Sequence, residues 1–141
     1  MKNYVPTIGV LIISDNKVLL VKHTENAHHL TDTYGLPAGR LERDESLEEG
    51  ALRELFEETG LKVLKEDLVH LPHVFYADIP RKGGEIAHFK WDVFVAKKFT
   101  GEIRESDETI PEWVELGKVS KLNLIANTEN AIKEGLEVMS Q

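Results

Sequence analysis

The 141-residue sequence contains no cysteine, which removes disulfide frames, thiolate metal sites and cysteine nucleophiles from consideration. It holds no apolar run approaching the ~20 residues that a membrane-spanning helix requires. The opening Met1-Lys2-Asn3-Tyr4-Val5-Pro6 has no signal-peptide hydrophobic core. Basic residues are outnumbered, 17 against 25 acids, giving a formal charge of −8. A net negative field works against long-range capture of DNA or RNA as a polymer, so neither polymeric nucleic acid nor membrane is expected as a partner. A small phosphorylated ligand stays open, because divalent ions invert the local field. These absences are compatible with a cytoplasmic protein, monomeric or homodimeric. The 41% hydrophobic and 30% charged residues fit an ordinary globule with one domain over 1–141.

Along the chain, Val5 to Ile13 and Val18 to Val21 read as strands joined by a tight turn at Ser14-Asp15-Asn16-Lys17. Lys22 to Asp32 is a polar, histidine-rich loop. Tyr34 to Gly39 is a short extended piece broken by glycine and proline. A helix is predicted over Leu47–Thr59: Ser46 and Glu49 form a capping box, Leu47, Ala51 and Leu55 make the apolar stripe, and Gly60 ends it. Leu61 to Leu64 and Leu68 to Ala77 are expected strands, with a loop tip at Pro80 to Gly84. The period of two from Phe89 to Phe99 marks a strand, with Phe94 and Ala96 suggesting cover on both faces. Gly101 to Pro111 reads as an acidic loop, Trp113 to Leu116 as a short strand and Ile125 to Met139 as a second helix. Strands with two helices predict a sheet covered by helices on both faces.

The acids are unevenly spread: Glu42 through Glu58 holds eight against two arginines. Within that run Glu54, Glu57 and Glu58 stand at i, i+3 and i+4, on one helical face. Like charges at this spacing repel by about 0.2–0.5 kcal/mol per exposed pair, and they occupy the half of the helix where the dipole disfavours anions. Cations explain a helix carrying that penalty, and hard oxygen ligands suit Mg²⁺ or Mn²⁺. Arg53 can reach Glu45, Glu49 or Glu57 and hold carboxylates in place. Gly39 lets bare backbone approach an ion and offer its carbonyl. Taken on the three glutamates alone, a solvated acidic face is the commoner explanation.

Other residues carry weaker signals. His23, His28 and His29 have solvent-loop roles as their default. His70, His73 and His88 lack helical zinc-site spacing. Trp91 and Trp113 read first as core rather than as base-stacking platforms. Arg81 and Lys82 can touch phosphate or simply keep a loop tip soluble. Gly83-Gly84 is not followed by the lysine of a phosphate-binding loop.

The segment from Gly39 to Leu61 resembles the Nudix box. Gly39, Glu45, Arg53-Glu54, Leu55, Glu57-Glu58, Gly60 and Leu61 fill every position that the motif specifies. The hairpin before it, the Leu36-Pro37-Ala38-Gly39 entry, the long strand, Trp113-Val114 and the last helix follow the order of a Nudix domain. The entry commonly has glycine where this chain has Ala38. The resemblance implies an α/β/α sandwich with a mixed sheet. It implies divalent ions, Mg²⁺ with Mn²⁺ as substitute, on Glu54, Glu57, Glu58 and the Gly39 carbonyl, with Glu45 and Arg53 orienting the box. It further implies hydrolysis of a pyrophosphate bond in a nucleotide-linked substrate, a (deoxy)nucleoside triphosphate ahead of ADP-ribose, nucleotide sugars or dinucleoside polyphosphates. Tyr76 and Pro80 lie near positions associated with two of those subgroups and decide neither. The catalytic base is expected in Glu54 or in a later acid among Glu85, Glu102, Glu105, Asp107 and Glu108. Tyr34, Phe75, Tyr76 and Phe89 are candidates to contact a base. A nucleotide-binding regulatory domain without turnover is the rival class.

Overall fold

A computed structural model describes residues 3–140; Met1, Lys2 and Gln141, at the ends of the expected domain 1–141, lie outside the described residues. Strand β1 (Val5–Ser14) turns through Asp15 and Asn16 into β2 (Lys17–His23). Both turn residues have positive φ, 49° and 61°, the conformation whose twist suits a two-residue hairpin. The two strands pair only beside the turn, at Ile13 with Val18 and Ser14 with Lys17, and then part. β2 joins β3 (Tyr34–Gly35) and β8 (Thr109–Glu115). β1 runs parallel to β7 (Ile86–Ala96) and antiparallel to β4 (Ala38–Arg40). β5 (Val69–His70) and β6 (Phe75–Pro80) pair with the far edge of β7. The forked hairpin therefore feeds two diverging parts of one eight-stranded mixed sheet.

Alternation along β1 and β7 divides the core. Ile8, Val10, Ile12, Phe94 and Ala96 pack with Ala51 and Leu55 of helix α1 (Leu47–Thr59). Leu11, Ile13, Trp91, Val93 and Val95 pack with Ala131 and Ile132 of helix α2 (Thr128–Met139). Strands buried on both faces need apolar residues at consecutive positions, and β1 supplies them from Ile8 to Ile13. The result is the α/β/α sandwich.

Several boundaries differ from the sequence reading, each for a local reason. Helix α2 starts at Thr128 rather than Ile125, because Asn127 takes a left-handed φ of 71°. The expected strand at Leu61–Leu64 reduces to one bridge, Lys62 to Thr100. The strand expected over Leu68–Ala77 is interrupted around Pro72, which has no N–H for a ladder. β8 starts inside the expected acidic loop, and its Pro111 is tolerated because this strand pairs only with β2. β7 begins earlier, at Ile86, and a 3-10 segment follows β8 at Leu116–Lys121. No helix among the described residues is long and apolar enough to cross a membrane.

Candidate active site

At the open end of the fork lies a cavity of about 790 Å³. Its acidic wall begins with helix α1, which is fixed at both ends. Ser46 Oγ accepts from Glu49 N at 3.1 Å while Ser46 N donates to Glu49 Oε1 at 2.9 Å. Gly60, at φ 83°, donates its N–H to Phe56 O and turns the chain away. That rotation presents Glu54, Glu57 and Glu58 to the cavity.

Arg53 organises the wall. Its Nε and Nη2 donate to Glu45 Oε2 and Oε1 at 2.7 and 2.8 Å, a bidentate pair. Its Nη1 donates to Glu54 Oε1 at 2.6 Å and, more weakly, to Glu57 Oε2 at 3.4 Å, and Nη2 also reaches Arg40 O at 3.0 Å. Of the three partners expected for Arg53, Glu45 takes the fork and Glu49 is diverted to the capping box. The Arg53 hydrogen bonds hold the Glu45 carboxyl below its usual range.

The three glutamates sit at different depths. Glu54 is 8% exposed, and burial raises its pKa although Arg53 resists the shift. Glu58 is half-buried; its Oε1 accepts from Ala38 N at 2.7 Å. Burial pushes Glu58 up to about 8 against that N–H, with Glu54, Glu108 and Glu57 adding repulsion. Glu57 is the exposed member, its side chain 56% accessible. Gly39 lies against Glu54 so closely that a β-carbon there would overlap the carboxylate.

Among the described residues no three acidic or histidine side chains converge tightly enough to enclose a cation. Arg53 draws Glu54 aside and the Ala38 N–H holds Glu58. The donors nevertheless suit a hard divalent ion: three carboxylates line one cavity, beside a cradle that any side chain at Gly39 would fill.

Of the later acids, Glu85, Asp107 and Glu108 line the cavity, whereas Glu102 and Glu105 do not. Among the aromatic candidates Phe89 lines it, and Tyr34, Phe75 and Tyr76 do not. Trp91 is core, as read from sequence, and also reaches the cavity wall; Trp113 packs on Phe99 at 5.4 Å. The histidine-rich loop does not simply face solvent. His23, His28 and His29 line the cavity, and His23 is 6% exposed. Burial lowers both His23 and His29, the latter to about 3 with help from nearby His23, Arg81 and His28. Arg81 Nε and Lys82 Nζ donate to the carbonyls of His28 and Glu25, at 3.2 and 2.5 Å, tying the β6–β7 turn to this loop. Sequence spacing gives no sign of that closure, because it joins segments more than fifty residues apart.

The NUDIX domain family model matches residues 3–135, and the chain belongs to the Nudix family. Over 64 residues it is 38% identical to a MutT-like protein of Streptomyces ambofaciens, covering 45% of this chain and 38% of that protein. It is 37% identical over 65 residues to the phosphatase NudJ of Escherichia coli K12, covering 46% and 40% respectively. The matched segments thus span about two fifths of these curated relatives. The solved structure of a MutT NUDIX hydrolase from Burkholderia pseudomallei superposes with a TM-score of 0.78 at 26% identity, over 94% of this chain and 98% of that one. The NUDIX domain of Shewanella oneidensis NrtR, complexed with ADP ribose, shares the fold with a TM-score of 0.75 at 22% identity, over 99% and 90%.

Proposed function

We propose that this chain, acting as a single domain over 1–141, hydrolyses a pyrophosphate bond in a nucleoside di- or triphosphate-linked substrate with Mg²⁺, and that nucleoside triphosphates are its first substrates. The observation carrying this reading is the gathering of Glu54, Glu57, Glu58 and Gly39 at one cavity wall behind the Arg53–Glu45 fork. Glu54, Glu57, Glu58 and the Gly39 carbonyl would hold the cation, with Mn²⁺ as a substitute. When bound, the ion neutralises phosphate oxygens and makes a coordinated water more acidic.

The protein's own groups do the rest. The Glu45–Arg53 pair steers the Glu54 carboxylate and the Ala38 N–H steers that of Glu58, and both carboxylates would turn from these contacts toward a bound cation. Glu54 is assigned here as a cation ligand, and a carboxylate that coordinates a cation is a poor base. The proton of the attacking water is therefore assigned to an acid across the cavity, with Glu108 preferred. Glu108 adds to the upward shift of Glu58, which puts it within electrostatic reach of the metal-binding carboxylates.

The test is a panel of nucleoside triphosphates, ADP-ribose, nucleotide sugars and dinucleoside polyphosphates, with Mg²⁺ in ¹⁸O-labelled water and products identified by mass. The reading requires label in one phosphate product, and loss of turnover in Glu57→Gln. Binding of nucleotide without cleavage of any panel member overturns it in favour of a non-catalytic domain.

A further inference from the structure

Helix α1 has no basic residue in its last turn, although a helix C-terminus carries partial negative charge and four carbonyls without helical partners. Glu57 and Glu58, both assigned to the cation, lie in that turn. The missing donors come from residues 104–109, far along the chain. Arg104 N donates to Thr59 O at 2.9 Å, Arg104 Nη2 to Phe56 O at 3.1 Å, and Thr109 Oγ1 to Glu58 O at 3.2 Å. One segment therefore bonds the Phe56, Glu58 and Thr59 carbonyls that close the helix. Phe56, 42% exposed, is the platform for this contact. The Arg104 guanidinium lies over its ring at 4.9 Å, with Lys62 Nζ at 5.3 Å. Phe56 fills the position that the Nudix box leaves unspecified between Leu55 and Glu57, and Arg104 lies beyond the box. The motif does not account for the contact. The approach is close: a β-carbon on Gly60 would press on Glu102 O and Arg104 Cγ, both at 2.8 Å.

The same segment carries acids to the cavity. Ser106 N donates to Thr109 O at 2.9 Å and Thr109 N to Ser106 Oγ at 3.1 Å, closing a turn with Asp107 and Glu108 at its tip. Ser106, Asp107 and Glu108 line the cavity, and Arg104 does not. On its other side the turn is tied to the histidine-rich loop. Thr24 Oγ1 donates to Asp107 O at 2.5 Å, and Thr24 N to Glu108 O at 2.9 Å. These bonds fix backbone, so the reach of the Glu108 carboxylate depends on where the turn is seated. Its seat on α1 is Arg104 at one flank and buried Thr109 at the other.

We propose that Arg104, seated on Phe56, is a positioning residue: it fixes the turn bearing Glu108 to the same helix end that carries Glu57 and Glu58. The helix that holds the cation and the loop that takes the proton then move as one unit, which keeps the spacing between cation and base. The proposal rests on the reading of the chain as a hydrolase with Glu108 as its base, and it names the residue that places that base. A small displacement of a reacting group costs about tenfold or more in rate. A side chain outside the cavity is therefore felt in kcat. Since Arg104 does not touch the cavity, its loss leaves substrate binding alone.

Two measurements test it. Arg104→Met keeps the aliphatic stem and removes the guanidinium. At saturating Mg²⁺ and well below Tm, it is expected to lower kcat for the best nucleoside triphosphate about fivefold to tenfold, with KM changed less than about twofold. Phe56→Leu, which leaves Arg104 in place and removes only its platform, is expected to lower kcat about twofold to fivefold. In a Glu108→Gln background Arg104→Met is expected to cost nothing further, because the group it places is gone. An unchanged kcat in both variants, a loss confined to KM, or the same fold-loss in both backgrounds overturns the proposal. By amide hydrogen exchange, Arg104→Met is expected to speed exchange at Ser106 and Thr109 about tenfold and to leave Leu55 unaltered. Equal rates in the two proteins also overturn it. Exchange needs no turnover, so faster exchange in a protein that hydrolyses nothing rejects the hydrolase reading while retaining the anchor. Hydrolysis with unaltered exchange rejects the anchor alone.

Discussion

The acidic wall and the histidine–tryptophan wall of the cavity satisfy their polar groups in opposite ways. On the first, carboxylates are held in place before any ligand arrives: Arg53 forks onto Glu45 and touches Glu54, and the Ala38 N–H anchors Glu58. On the second, Trp91 Nε1 and His29 Nδ1 are buried with no partner among the described residues. The first wall gathers negative charge that a cation can relieve, and the second seals these two polar atoms away from the opening. Substitutions on the two walls are therefore expected to differ in kind.

The largest effect belongs to the acidic wall. Glu57→Gln is expected to lower kcat at saturating Mg²⁺ by at least about 100-fold; an unchanged kcat removes Glu57 from the principal ligands. Arg53→Lys keeps the charge but cannot form the fork. It is expected to weaken divalent-ion affinity about 10–100-fold, measured by calorimetric titration, and an unaltered affinity shows that the fork does not support the site. Gly39→Ala places a methyl group on the Glu54 carboxylate and is expected to lower kcat/KM about tenfold, the scale of a small displacement of a supporting contact.

The walls also differ in their response to pH. Without metal, Glu58 has a folded pKa of about 8, raised from the ordinary 4.5. The folded state then holds the extra proton, so this group's contribution to stability is complete below pH 4.5 and is lost as pH rises through 8. His29 works in the other sense. Its pKa falls from 6.5 to about 3, so its contribution is present above pH 6.5 and is lost as pH falls toward 3. Since protons compete with the cation for Glu58, the rise in Tm caused by millimolar Mg²⁺ should be larger at pH 8 than at pH 5. Equal increments at both pH values contradict the assignment of Glu58 as a ligand. The smallest effect is expected from His29→Gln, which cannot take up the proton and should flatten the decline of Tm between pH 6.5 and 5.

The acidic wall was largely legible in the sequence because its geometry is local. Spacing of i, i+3 and i+4 puts Glu54, Glu57 and Glu58 on one face wherever the helix forms, and Ser46, Glu49 and Gly60 announce where it forms. The cover on both faces of β7 was readable in the same local way, from Phe94 and Ala96. The second wall was not legible. His23, His29, Arg81, Phe89 and Trp91 come from two loops and two strands, and they meet only through strand register and contacts such as Arg81 to His28 O. A histidine in a polar loop and a tryptophan in an alternating strand look ordinary until those contacts close. The depth ordering of the glutamates followed part of the same logic: Glu57, furthest from the apolar stripe, is the exposed one, but the Ala38 N–H on Glu58 depends on β4 and had no local signal.

Paramagnetic resonance of Mn²⁺ titrated into the metal-free protein tests the central claim most directly, since it counts bound ions without requiring turnover. The account predicts a bound population in the wild-type protein that collapses in Glu57→Gln and in the double substitution of Glu54 and Glu58 by glutamine. Binding that is absent from the wild type, or equal in all three proteins, would contradict it.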